Sequence, residues 1–188
     1  MSAFSARYEA ALVLAARAHR TQLRKGSDIP YFTHVVHVAA ILERYGLPED
    51  VVVAGLLHDL IEDTDVPAQQ IADQFGERVR DLVLAVTKPD DNHSWEEQRA
   101  ALVMQVEASN DPHVAALKAA DTLHNAQSIV HDLRTDGPVV WQRFKRGPES
   151  ILPYYRATLQ AVQRLLSDHA LVAELEAAIV GLEALERS

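Results

Sequence analysis

The chain has 188 residues, enough for a packed core and within the usual range for one compact domain. It has no cysteine, which excludes disulfides, thiolate metal sites and cysteine nucleophiles. Its 27 acidic and 18 basic side chains give a formal charge of −9. That balance repels a nucleic-acid duplex unless the cations gather on one face.

The basic residues are scattered apart from a small group at Arg17, Arg20, Arg24 and Lys25, which suits a small anion better than a duplex. The first seven residues are too polar for a signal peptide, and no apolar run approaches the roughly 18 residues of a membrane span. A soluble, cytoplasmic protein with no membrane partner is the expectation.

In chain order, apolar residues at helical spacing predict a helix over 8–25, broken by Gly26, Asp28 and Pro30. A second helix over 33–45 presents Val35, Val38, Ala39 and Leu42 and stops at Gly46. Pro48 suits the first turn of a third helix running through Val52, Leu56 and Leu57 toward Ile61. A short helix follows from Pro67 to Gly76, then another over 77–87 and a polar loop over 88–93. Ser94 and Glu97 form a capping-box pattern opening a helix to Ser109. After Asn110-Asp111-Pro112 a helix covers 113–134, and Gly137-Pro138 and Gly147-Pro148 bracket a short segment holding Trp141 and Phe144.

Two C-terminal helices split near Ser167-Asp168, the expected N-cap. The last presents Leu171, Leu175, Ile179 and Leu182, a face for internal packing or for a second copy in a homo-oligomer. No stretch alternates with the period of a strand. The expected fold is all-α, one domain over 1–188 with a motif-bearing core at about 15–135 and C-terminal helices at about 148–188.

The chemistry concentrates in His58-Asp59-Leu60-Ile61-Glu62-Asp63-Thr64-Asp65, five ionisable groups within eight positions. If the helix continues, His58 pairs with Glu62 and Asp59 with Asp63, four residues apart on neighbouring faces. Four carboxylates this close repel one another unless a cation sits among them. Imidazole and carboxylate donors suit a divalent Zn, Mn or Fe. One His-Asp pair cannot fill a coordination sphere, and two remote candidates stand out. His34 opens a helix after a proline-containing loop. Asp121 lies among Ala116, Leu117, Ala119 and Ala120, where an unpartnered charge would be costly. Asp121 with Asn125 also fits a buried hydrogen-bonded pair, and Glu62 with Asp63 a solvated helix end. Lys118 reads as a substrate contact or, by preference, as an ordinary surface lysine. Arg24 and Lys25 read equally as a helix end favoured by the dipole.

His34, His58-Asp59 and Asp121 reproduce the H…HD…D order of the HD-domain superfamily. Flanking residues narrow the likeness. Ala18-His19 with Arg24-Lys25, Pro30-Tyr31 with Thr33-His34, Leu56 to Thr64, Phe75-Gly76, Val86-Thr87-Lys88, and Lys118 with Asp121 and Leu123-His124-Asn125 resemble the hydrolase domain of the Rel/SpoT enzymes and the small standalone SpoT-like alarmone hydrolases. The match covers about 15–125. The resemblance implies one divalent ion, Mn²⁺ in the relatives with Fe or Zn as alternatives, held by His34, His58, Asp59 and Asp121. It implies that Glu62 and Asp63 orient and activate the attacking water, that Arg24 and Lys25 contact the nucleotide, and that Asn125 lines its pocket. The implied reaction removes the 3′-pyrophosphate from guanosine tetra- or pentaphosphate.

Several positions depart from that pattern. Val35 stands where proline is usual and Thr122 where a basic residue is common, and Ala126 to Ile129 lacks the expected basic residue. These departures bear on the substrate. The alternatives are an HD phosphohydrolase for a deoxynucleotide, a nucleoside monophosphate or NADPH, and a non-catalytic helical module that binds metal or nucleotide.

Overall fold

The computed structural model describes residues 5–89 and 93–187, so part of the predicted polar loop, Asp90 to Asn92, lies outside the described residues. Among the described residues the protein is all-α, with a single isolated bridge between Leu23 and Pro30. The chain divides into two compact units, Met1–Lys88 and Pro89–Ser188.

The first unit holds α1 (Ala6–Ala18), α2 (Phe32–Arg44), α3 (Glu49–Leu57), α4 (Leu60–Asp63), α5 (Ala68–Phe75) and α6 (Glu77–Val86). Its centre is α3. Every residue from Val51 to Leu57 is buried, as expected of a helix apolar on all sides, and α1, α2 and α6 pack around it. The α2–α3 turn closes as the sequence predicts, with Gly46 at φ +69° and the Leu47 N–H donating to the Leu42 carbonyl at 3.1 Å.

α2 and α3 approach closely at Gly55. A Cβ there would lie 2.7 Å from Leu42 Cδ1 and 3.2 Å from Ala39 Cα. Leu42 is fully buried and cannot swing clear. Overpacking of this kind costs about 1–3 kcal/mol, against about 1 kcal/mol regained from alanine's helix propensity. Gly55→Ala should therefore lower the denaturation midpoint, and a chemical melt checks it.

Two expected boundaries are corrected. α1 ends at Ala18, not Lys25, because the following segment folds back on itself. Arg24 N–H donates to the Ile29 carbonyl at 2.8 Å, and Tyr31 N–H to the Gln22 carbonyl at 2.8 Å. The second correction concerns the third helix, which stops at Leu57, bends at His58-Asp59 and resumes as α4.

The second unit holds α7 (Trp95–Ser109), α8 (Pro112–Asp136), a 3-10 helix (Gly137–Arg143), α9 (Pro148–Leu166) and α10 (Ala170–Glu186). The capping box forms as read, with the Ser94 hydroxyl accepting from Glu97 N–H and the Glu97 carboxylate accepting from Ser94 N–H. Asp111 caps α8 at His113 N–H, 2.9 Å away, with Pro112 in the first turn. The N-cap of α10 is His169 rather than Asp168; its Nδ1 accepts from Leu171 N–H. Leu171, Leu175, Ile179 and Leu182 are fully buried where α10 packs on α8 and α9, so this face is spent within the unit.

Candidate metal centre

In a continuous helix, adjacent side chains diverge by about 100° around the axis. The bend at His58-Asp59 removes that divergence. Asp59 takes φ −96° and ψ 0°, in the sparsely used bridge region. Its carboxylate then reaches the same point as the His58 ring, with Oδ2 3.0 Å from His58 Nε2. A close contact thus joins these two neighbours. The turn survives in the backbone, where Asp63 N–H donates to the Asp59 carbonyl at 2.9 Å.

α2 brings the third group. His34 Nε2 lies 3.3 Å from His58 Nε2 and 3.5 Å from Asp59 Oδ2. Both imidazoles are buried, 1 % and 3 % exposed. His58 Nδ1 donates to the Gly55 carbonyl at 2.9 Å, which fixes the ring with Nε2 facing Asp59 Oδ2. Tyr31 donates its hydroxyl to Asp59 Oδ2 at 2.5 Å. Burial opposes charge on Asp59, yet the neighbouring His58 and His34 outweigh it and hold the carboxyl well below its ordinary range.

Three donor atoms 3.0, 3.3 and 3.5 Å apart have the edge lengths of a small cation's shell. Ligands about 2.1 Å from one ion sit about 3.0 Å apart in an octahedron and about 3.4 Å in a tetrahedron. The residues present therefore fit a divalent metal.

α4 supplies two further carboxylates, each engaged by a residue to which the motifs gave no role. Glu62 pairs with the Lys88 ammonium. Asp63 accepts from the Gln22 amide at 2.8 Å. Partial burial of its carboxyl, with the charges of Asp59 and Glu62 nearby, pushes Asp63 above its ordinary pKa despite that bond. Such a group adds stability fully below its ordinary pKa, and this contribution is lost as pH rises through the raised value. Asp63→Asn should therefore raise the melting point of metal-free protein near neutral pH, with little gain near pH 4. Thermal melts at the two pH values check it.

The predicted nucleotide contacts of this unit lie in the turn beyond the C-terminus of α1. Arg24 lies over the Tyr31 ring, 5.7 Å from its centroid, and Lys25 is exposed in the turn after Arg24. The helix-dipole account of this pair falls with the shorter α1.

In the second unit, α8 carries Asp121 with both oxygens engaged. Lys118 Nζ donates to Oδ2 at 2.7 Å, and Asn125 Nδ2 to Oδ1 at 2.7 Å. The Asp121–Asn125 hydrogen bond is thus formed. Lys118 is not the surface residue expected; it is 5 % exposed. Burial opposes its charge, but Asp121 three residues on overcomes this and raises its pKa. The Lys118 ammonium also lies 5.7 Å from the Tyr154 ring centroid. The signal for Lys118 was its i,i+3 spacing to an acid on an otherwise apolar helix face.

Comparison with known proteins bears on what this arrangement belongs to. A guanosine-3′,5′-bis(diphosphate) 3′-pyrophosphohydrolase of Drosophila melanogaster is 35% identical over 145 residues, covering 76% of this chain and 78% of that protein. A GTP pyrophosphokinase of Streptomyces coelicolor is 41% identical over 123 residues, 64% of this chain; the matched part spans only 14% of that enzyme. Among solved structures, a metazoan ortholog of SpoT that hydrolyzes ppGpp aligns with a TM-score of 0.77 and 28% identity, over 96% of this chain and 97% of that one. The HD domain pattern matches residues 11–147, which include His34, His58-Asp59 and Asp121. The chain belongs to the HD domain family.

Proposed function

We propose that this chain is a metal-dependent phosphohydrolase that removes the 3′-pyrophosphate from ppGpp or pppGpp. The observation that carries the reading is the triangle of His34 Nε2, His58 Nε2 and Asp59 Oδ2, drawn to metal-shell spacing beside two carboxylates outside it. A site built only for structure needs no such spare acids. The Drosophila hydrolase, matched over most of both chains, supports the substrate.

In this proposal His34, His58 and Asp59 hold the ion, Mn²⁺ by preference, and Asp121 joins them through its place in the H…HD…D order. The ion, when bound, acidifies water and offsets charge growing on the phosphoryl oxygens. The chain's own residues do the rest. Tyr31 holds the Asp59 carboxylate in aim. Glu62, kept beside the Lys88 ammonium, stays available to orient the attacking water. Asp63, its pKa raised by burial and by the nearby Asp59 charge, is suited to pass a proton to the leaving group. Arg24 and Lys25 offer positive charge to the nucleotide phosphates, and Asn125 a polar contact to its pocket. Residues 11–147 lie in both units, which supports one HD-type domain built from the two.

The partner in this reading is a small nucleotide, and the setting is cytoplasmic. Among the described residues no helix is long and apolar enough to cross a membrane. The proposal takes no duplex as a partner, in line with the net charge of −9.

The test is release of pyrophosphate from ppGpp by the purified chain with Mn²⁺, run beside deoxynucleotides, nucleoside monophosphates and NADPH. Pyrophosphate from ppGpp at a rate above the rest supports the proposal. Cleavage of another member with ppGpp left intact gives the site to that nucleotide. Metal binding without turnover of any member reduces the protein to a binding module.

A further inference from the structure

The Asp63 carboxylate lies at the end of a hydrogen-bonded line that starts in the core of the first unit. His19 follows the last residue of α1 and is 1 % exposed. Its Nδ1 lies 2.6 Å from Gln22 Oε1, and Gln22 Nε2 lies 2.8 Å from Asp63 Oδ2. Resting on the reading of Asp63 as a catalytic carboxylate, we propose that His19 and Gln22 are positioning residues: His19 donates to Gln22, and Gln22 donates to Asp63, fixing the direction of its carboxylate.

The polarity of the line follows from the chemistry of its far end. Gln22 Nε2 donates to Asp63 Oδ2, an oxygen that accepts whether or not the other carboxyl oxygen carries a proton, so the amide turns its oxygen to His19. An oxygen 2.6 Å from Nδ1 requires a proton on that nitrogen. The opposite tautomer would set two lone pairs face to face there and bury an N–H at Nε2. His19 Nε2 is buried and has no hydrogen-bond partner among the described residues. A lone pair can stand in such a place at lower cost than an unpaired N–H. One tautomer therefore satisfies the line.

The line is also anchored. His19 N–H donates to the Ala15 carbonyl at 3.0 Å and Gln22 N–H to the His19 carbonyl at 3.0 Å. The Gln22 carbonyl accepts from Tyr31 N–H at 2.8 Å. The Gln22 backbone is thus pinned on both sides, so its side chain leaves from a fixed point. The His19 ring also packs against Tyr31, 5.1 Å between centroids, and Tyr31 donates to Asp59. A glutamine so held lacks the freedom of a surface side chain, and Asp63 inherits its aim.

The experiment has two arms. In the first, ¹⁵N NMR of metal-free protein reads the His19 ring nitrogens and the Gln22 side-chain amide. The proposal predicts the Nδ1–H tautomer and slowly exchanging amide protons whose exchange quickens in Asp63→Ala. An Nε2–H tautomer, or amide exchange indifferent to Asp63, overturns it. The second arm is kinetic, with Mn²⁺ and ppGpp. Gln22→Ala should lower kcat by about 10- to 100-fold, as a small loss of alignment does, while KM and Mn²⁺ affinity hold. His19→Leu, which keeps bulk without a donor, should do the same, and His19→Asn, which restores an N–H, should recover most of the rate. In an Asp63→Asn background Gln22→Ala should add almost nothing. Losses that multiply in the double variant overturn the proposal. Wild-type protein inactive on ppGpp sinks the substrate reading instead, and the NMR arm still decides this one.

Discussion

Asp59→Ala should reduce pyrophosphate release to background and weaken metal binding by more than the roughly 10- to 100-fold that changes outside a ligand set produce. Asp59 Oδ2 lies 3.0 and 3.5 Å from the two imidazole nitrogens. Removing it takes away the carboxylate that the first unit sets against both imidazoles and lowers the anionic charge that balances a divalent cation. The rest of the fold keeps its supports, since α2 and α3 pack through Val35, Val38, Leu42, Leu56 and Leu57. Isothermal titration with Mn²⁺, a rate assay and a circular-dichroism melt together separate loss of the ion from loss of the fold. Retained turnover with an intact melt would remove Asp59 from the site.

The second large effect belongs to Glu62. Glu62→Gln should lower kcat by about 10²- to 10⁴-fold, the usual worth of a positioned proton-handling group, while Mn²⁺ affinity is kept. The substitution preserves shape and removes charge. Its cost in stability is small, because the Lys88 partner is 30 % exposed at its side chain and such pairs contribute about 1 kcal/mol or less. Metal affinity falling in step with kcat would make Glu62 a ligand rather than a base.

The parts of this fold that the sequence announces are those set by local chemistry. Ser94 and Glu97 close their box, Pro112 follows the Asp111 cap, and Gly46 takes the left-handed turn that ends α2. The parts that escaped are set by contacts between distant residues. Nothing between Leu57 and Ile61 breaks helical periodicity, neither glycine nor proline, so the bend that aims His58 and Asp59 together is invisible along the chain. The early end of α1 has the same origin, because Gln22 and Arg24 find backbone partners at Tyr31 and Ile29 rather than one turn away.

The site divides in the same manner. Motif spacing finds His34, His58 and Asp59 but says nothing of what orients them. Tyr31, Gln22 and Lys88 emerge only when the side chains they touch are in place. Lys118 was misread because a lysine among alanines resembles a solvated stripe, whereas its neutralising partner Asp121 lets it be buried. Charge pairing of this kind hides a buried cation from any hydropathy pattern.

The central claim is that two imidazoles and a carboxylate of the first unit share one divalent ion. Electron spin echo envelope modulation of the Mn²⁺-loaded protein tests it most directly. The account predicts one bound ion with nitrogen couplings from two histidines, one of which disappears in His34→Ala. A bound ion without nitrogen coupling, or no binding at all at millimolar Mn²⁺, would contradict it.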